Sequence, residues 1–206
     1  MDPLVKLFEG IPSSIISDSM RRIVGAHTLA PRHASGDLVG VAYTVKVRPG
    51  DNLYIHDALR KIKPGQVLVV DGGGVTERAL VGEIMMTAAK MRSVAGFVID
   101  GAIRDSDAFK THNFPCYCKG VTHQGPLKNG PGEQEVPVSI DGCVVSPGDI
   151  VVGDCDGVVF IPRGQAEQVA TISRDRIAAE TRVLAGIAKG VYDDSWIDDA
   201  LKAQLV

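Results

Sequence analysis

The sequence predicts a layered α/β sandwich rather than a regular doubly wound sheet. Three features carry this expectation. Helix-like and strand-like patterns alternate through the first half of the chain, short strands with Gly/Pro turns follow Phe109, and helix dominates from about residue 165 onward. With 206 residues, 45% of them hydrophobic, and no internal repeat or low-complexity linker, the chain suits one compact unit with a mostly aliphatic core.

Taken in order, residues 12–24 read as a first helix, with Pro12 suited to its first turn and Ser13 or Ser14 able to cap it. Residues 38–47 alternate and are rich in β-branched side chains, as a strand requires. Pro49 and Gly50 turn the chain, and Asp51 or Asn52 can cap a helix running to about Lys61. Residues 66–70 form a short apolar strand that ends in Asp71 and three glycines, and 76–81 form another strand-like piece. Strong helix formers fill 82–92, with Ile84, Ala88 and Met91 spaced for one buried face. Residues 95–99 make a further buried strand. Segments 115–121, 136–140, 143–146, 150–153 and 157–161 then read as short strands, linked by turns such as Asp141-Gly142 and Asp156-Gly157. A long helix spans about 165 to 189 and ends at Gly190, and 193–202 add a short one.

Composition narrows the function classes. The net charge is −3 and the Lys and Arg residues are scattered, so the basic stripe of a nucleic-acid binder is missing. The N-terminus lacks the basic-then-apolar layout of a secretory signal, and no apolar run approaches the ~18 residues of a membrane span. A cytoplasmic location is expected, and the cysteines at 116, 118, 143 and 155 are expected as reduced thiols. His112, Cys116, Cys118 and His123 lack the spacing of a zinc knuckle, and Cys116 and Cys118 alternate as on one face of a strand.

Residues 71–74 read as a glycine turn that lets backbones pass closely, since neither phosphate-loop motif is present, with a pocket wall as the alternative. A helix starting at Gly82-Glu83 would leave the amides of Glu83, Ile84 and Met85 without intrahelical partners, a ready site for a carboxylate. Equally, Glu83 simply favours the first turn of a helix. Arg104 and Asp105 lie beyond a buried strand, where α/β proteins place ligands. Arg104 can grip a carboxylate with two bonds and Asp105 is a hard oxygen ligand for Mg²⁺ or Mn²⁺, although an Arg–Asp turn is also a common surface ion pair. In the long helix, Glu180 falls on the apolar seam of Val169, Ile172, Ile177, Leu184 and Ile187. It needs a partner there, either Arg176 one turn earlier or a water at a metal site on a neighbouring subunit.

Residues 82–105, GEIMMTAAKMRSVAGFVIDGAIRD, resemble the signature of the RraA-like proteins. The matching positions are Gly82, Glu83, Ala89, Gly96, Asp100, Gly101, Arg104 and Asp105, and the similarity extends to the GDN at 50–52 and the VLVVDGGG ending at Gly74. Ser93 stands where the family has glycine, and in a left-handed conformation it costs on the order of 1 kcal/mol. The family includes aldolases acting on 4-hydroxy-4-methyl-2-oxoglutarate and 4-carboxy-4-hydroxy-2-oxoadipate, which also decarboxylate oxaloacetate, and the regulator of ribonuclease activity A.

The resemblance implies a single RraA-like domain over 1–206, with 164–206 a C-terminal helical extension. Its fold would be an α/β/β/α sandwich with mixed sheets, like swivelling β/β/α proteins, assembled as a homotrimer or hexamer with sites between subunits. It further implies that Asp105 binds Mg²⁺ or Mn²⁺, and that Arg104 binds the substrate. Gly82, Glu83, Ile84 and Met85 would hold the pyruvyl carboxylate. Glu83 would steer a water beside the ion, and Glu180 would come from a neighbouring subunit. The expected activity is class II aldol cleavage of a small 2-oxo acid to pyruvate, with no nucleic-acid or membrane partner. A non-catalytic regulator of ribonuclease activity is the alternative. A Schiff-base route would need a buried lysine, and Lys90, the nearest in sequence, sits far down the helix.

Overall fold

The computed structural model describes residues 2–22 and 25–203. The chain begins with α1 (Pro3–Lys6), α2 (Ser13–Ser19), β1 (Ala30–Pro31), β2 (Leu38–Val47) and α3 (Leu53–Lys61). It continues through β3 (Gln66–Asp71), β4 (Ala79–Val81), α4 (Glu83–Met91), β5 (Gly96–Ile103), α5 (Ser106–Thr111) and β6 (Cys116–Val121). Five short strands follow, β7 (Gly132–Gln134), β8 (Val138–Ile140), β9 (Cys143–Val145), β10 (Ile150–Asp154) and β11 (Gly157–Ile161). Helices α6 (Ala166–Ile187) and α7 (Ser195–Ala203) end the described chain.

Strands β2, β3, β5 and β6 lie side by side in parallel, while β1, β10 and β11 extend the sheet antiparallel at its two ends. Ala26, just before β1, bridges Val158 of β11, so the two ends nearly meet. The mixed sheets expected from the sequence are therefore opposite walls of one nearly closed nine-stranded sheet.

Period-2 alternation explains the layers. From β3 and β5, Leu68, Val70, Phe97 and Ile99 point outward to α3, α4 and α5, while Val67, Val69 and Val98 point inward. On the opposite wall, Ile150, Val152, Val159 and Ile161 pack outward against α1, α2 and the first half of α6, while Val151, Val158 and Phe160 point inward. The β8–β9 hairpin fills the space between the walls with Val138, Ile140 and Val145. This is the α/β/β/α sandwich.

Several elements differ from the sequence expectation. The first helix stops at Ser19, and Arg21 and Arg22 take positive φ; residues 23 and 24 of the predicted helix lie outside the described residues. Pro12 is its N-cap, and Ser13 instead donates from both its amide and its hydroxyl to the Asp154 carboxylate, at 2.7 Å each. The piece predicted over 76–81 pairs only from Ala79. The buried face of α4 is Met85, Met86 and Ala89, whereas Ile84 and Met91 are 79% and 74% exposed. The apolar residues of so short a helix fit two stripes, and the contact with α3 and β5 selects one. Ser93 has φ 57°, the left-handed conformation that glycine would take without strain. The four cysteines are free, and Cys116 and Cys118 share one buried face of β6. Among the described residues, no helix is long and apolar enough to cross a membrane.

Candidate functional site

Strands β4 and β5 end together, with the Arg104 amide donating to the Val81 carbonyl at 3.0 Å. This is the carboxyl-terminal edge of the parallel strands, and α4 starts there from Gly82. Asp105 adopts a left-handed conformation (φ 54°, ψ 41°) that turns its carboxylate back toward α4. Its Oδ2 accepts a hydrogen bond from the Glu83 amide at 3.0 Å and lies 3.6 Å from Arg104 Nε. A Cβ on Gly82 would stand 2.5 Å from that Oδ2 and 2.9 Å from Arg104 Cγ, so the close approach requires glycine. Six of the seven residues picked out from sequence thus converge on one strand edge.

The cradle is partly filled by the chain itself. Of the three amides expected to be free, that of Glu83 serves Asp105, while those of Ile84 and Met85 make no hydrogen bond among the described residues. These two amides open at the positive end of the α4 dipole, beside the Arg104 guanidinium, and suit an anionic ligand. Asp105 is 43% exposed in its side chain, and its Oδ1 is uncommitted among the described residues. One monodentate carboxylate, with water and ligand oxygens completing the shell, is a set that Mg²⁺ or Mn²⁺ accepts. Among the described residues, the one clustered group of possible metal ligands is Asp154, Cys155 and Asp156. There the Asp154 carboxylate already binds Ser13 and the Asp156 amide, as in an ordinary turn.

A cleft of about 330 Å³ opens from this edge, with Gly82, Ile84, Met85 and Arg104 on one side and Asn52, His56, Gly125 and Lys128 on the other. Among the described residues, no carboxylate lines it; Glu83 and Asp105 line the adjoining hollow on the other side of Arg104. Burial and the neighbouring Lys128 ammonium lower the His56 pKa, which favours the neutral imidazole. Asn52 donates from Nδ2 to the Leu80 carbonyl at 3.0 Å and to Met85 Sδ at 3.5 Å, tying α3 to the start of α4. His56 and Lys128 were not singled out from sequence, because the loop carrying Lys128 lies more than twenty residues past the motif. The GDN turn was the only signal pointing to this wall.

Behind the site, Lys119 Nζ sits 3.1 Å from Asp100 and 3.4 Å from Asp141, linking the end of β5 to the β8–β9 turn. Burial would raise the Asp141 pKa, but Thr28 and Lys119 outweigh it and hold it at about 2. The glycine turn expected at 71–74 packs here, where a Cβ on Gly72 would meet Leu80 Cδ1 at 2.5 Å and the Asp100 carbonyl at 2.8 Å.

The RraA-like family model, described as Aldolase/RraA, matches residues 13–160, which includes this whole edge. The chain belongs to the RraA-like family. A protein of Halalkalibacterium halodurans named "Putative 4-hydroxy-4-methyl-2-oxoglutarate aldolase" is 43% identical over 163 residues, covering 79% of this chain and 78% of that one. An uncharacterized protein from Pseudomonas syringae superposes with a TM-score of 0.84 at 27% identity, over 92% of this chain and 90% of that one. RraAS2 of Streptomyces coelicolor, described as an unusual member of the RNase ES inhibitor RraA family, gives a TM-score of 0.80 at 25% identity, over 88% and 95%.

Within this RraA-like chain, Glu180 stands apart from the other six residues. It lies on α6, whose buried residues pack with α2, β10 and β11, the helical layer opposite α4. It is exposed and makes no side-chain hydrogen bond or ion pair among the described residues. Arg176 does not pair with it: its guanidinium reaches Asp18, with Nη1 3.6 Å from Oδ2. The predicted seam is buried only at Val169, with Ile177 partly covered, whereas Leu184 is 65% exposed.

Proposed function

We propose that this RraA-like protein is a divalent-metal-dependent class II aldolase that cleaves 4-hydroxy-4-methyl-2-oxoglutarate-type acids to pyruvate and also decarboxylates oxaloacetate. The supporting observation is the meeting of Arg104, Asp105 and the open α4 amides within one strand edge, where Arg104 is shared between the cleft and the hollow lined by Glu83 and Asp105. Asp105 is the residue that would hold Mg²⁺ or Mn²⁺. The ion supplies Lewis-acid stabilisation of the negative charge that develops on the pyruvyl fragment as the carbon–carbon bond breaks.

The chain's own residues do the rest. The Ile84 and Met85 amides receive the pyruvyl carboxylate and fix its orientation. Arg104, half-exposed and held by the Val81 hydrogen bond through its backbone, adds positive charge where the departing fragment gains electron density. Glu83, exposed and lining with Asp105 the hollow that adjoins the cleft at Arg104, steers a water that takes the 4-hydroxyl proton, helped by Glu180 of the partner subunit in a homotrimer or hexamer. Exposure of the distal half of α6 supports a neighbour's covering it.

The test is pyruvate release from 4-hydroxy-2-oxo acids and oxaloacetate, for the wild type and for Arg104→Ala and Asp105→Ala. EDTA should abolish activity and Mg²⁺ or Mn²⁺ restore it, and each substitution should cost about 10²–10³-fold. No pyruvate release from any of these acids would favour a non-catalytic regulator. Chelator-resistant activity with borohydride trapping would replace the metal route by a Schiff base.

A further inference from the structure

One buried carboxylate near the cleft belongs to no step above. Asp51 is 1% exposed and, among the described residues, has no cation bonded to it, yet its oxygens accept three backbone hydrogen bonds. One comes from Leu53 at the start of α3 (2.9 Å), and two come from Asn129 (2.6 Å) and Gly130 (3.0 Å) in the loop across the cleft. Burial alone would raise its pKa, but the three amide donors, with the charge of nearby Arg48, outweigh burial and hold the carboxyl below its usual range. Two further backbone bonds complete the clamp, from Leu127 to the Gly50 carbonyl (2.8 Å) and from Asn52 to the Leu127 carbonyl (3.0 Å). Lys128 therefore stands between two residues whose backbones are fixed, while its own side chain makes no ion pair or hydrogen bond among the described residues. It lines the cleft with His56 and Arg104, and among the described residues these three are the only ionisable side chains that do.

We propose that Lys128 is a binding residue for an anionic group of the ligand remote from its 2-oxo end, and that Asp51 is the positioning residue that holds Lys128 at the cleft. This rests on the proposed placement of a 2-oxo acid at the α4 terminus. An ammonium on a fixed backbone loses less freedom on binding than one on a mobile loop, so releasing the loop weakens the contact without removing the charge. The physical consequence is coupling: once the loop is released, losing the ammonium costs little more.

The experiment is calorimetric titration of the full chain with Mg²⁺ present, using two unreactive probes. 2-Oxoglutarate carries a second carboxylate and 2-oxobutanoate does not. Lys128→Met should weaken 2-oxoglutarate about tenfold, the scale of one charge-assisted contact, and leave 2-oxobutanoate within about twofold. Lys128→Arg should recover part of the loss. Asp51→Asn should weaken 2-oxoglutarate similarly and speed hydrogen exchange at the Asn129 and Gly130 amides, and the double variant should bind no worse than the weaker single one. Equal losses for both probes, an additive double variant, or a wild type that does not prefer 2-oxoglutarate would each overturn the inference. Pyruvate release is scored separately: intact discrimination without lyase activity sinks the aldolase reading and leaves this one standing.

Discussion

The strand edge at residues 82–105 and the helical segment at 178–203 each carry a proposed site residue, yet they are built on opposite terms. At the edge, polar groups are committed within the chain: Asp105 to the Glu83 amide, the Arg104 amide to Val81, Asn52 to Leu80. In the C-terminal segment, apolar groups are uncommitted: Val183, Leu184, Ile187 and Trp196 are between 47% and 65% exposed. A surface of the first kind holds its geometry before any ligand arrives. One of the second kind gains stability only by covering its apolar stripe, which is why a role for Glu180 requires a second copy of the chain.

After the loss of Arg104 or Asp105 itself, the largest effect should come from adding one methyl group to the committed region. Gly82→Ala places a Cβ where Asp105 Oδ2 and Arg104 Cγ now lie, and displacing them should lower kcat about 10²-fold. The φ of −155° is open to alanine, so melting temperature should barely move. A parallel loss of stability and activity would show that the crowding is structural.

A smaller effect tests the uncommitted region. Glu180→Gln should lower activity about tenfold with unchanged folding, as for loss of an auxiliary proton-handling group. Mixing inactive Arg104→Ala subunits with Glu180→Gln subunits should restore part of the activity, because some sites then receive intact halves. No restoration would place Glu180 outside the site. The single tryptophan, Trp196, lies in this segment, so its emission should shift blue as assembly covers it.

Acid should separate the regions. Asp141 has its folded pKa depressed to about 2 from 3.8, so the stability it contributes is fully present above pH 3.8 and is lost as pH falls through about 2. Asp141→Asn should flatten acid unfolding of the sheet, measured by circular dichroism, and leave Trp196 emission unaffected. The smallest effect is a gain: Ser93→Gly relieves the left-handed serine and should stabilise by roughly 0.5–1 kcal/mol in urea melts.

By itself the sequence determined the order and type of most elements, because period-2 runs such as 38–47 and the Gly/Pro turns after 130 are local signals. It also marked Gly82, Glu83, Ile84, Met85, Arg104 and Asp105, since a strand end and a helix start fall at fixed spacing within 24 residues. Only the tertiary structure decided which stripe of α4 is buried, that the two β layers are one nearly closed sheet, and that Asp51 clamps the loop bearing Lys128. Those outcomes depend on pairings across long stretches of chain, such as Ala26 with Val158, where hydrogen-bond partners and packing neighbours are chosen in space. Spacing along the chain carries no record of that choice.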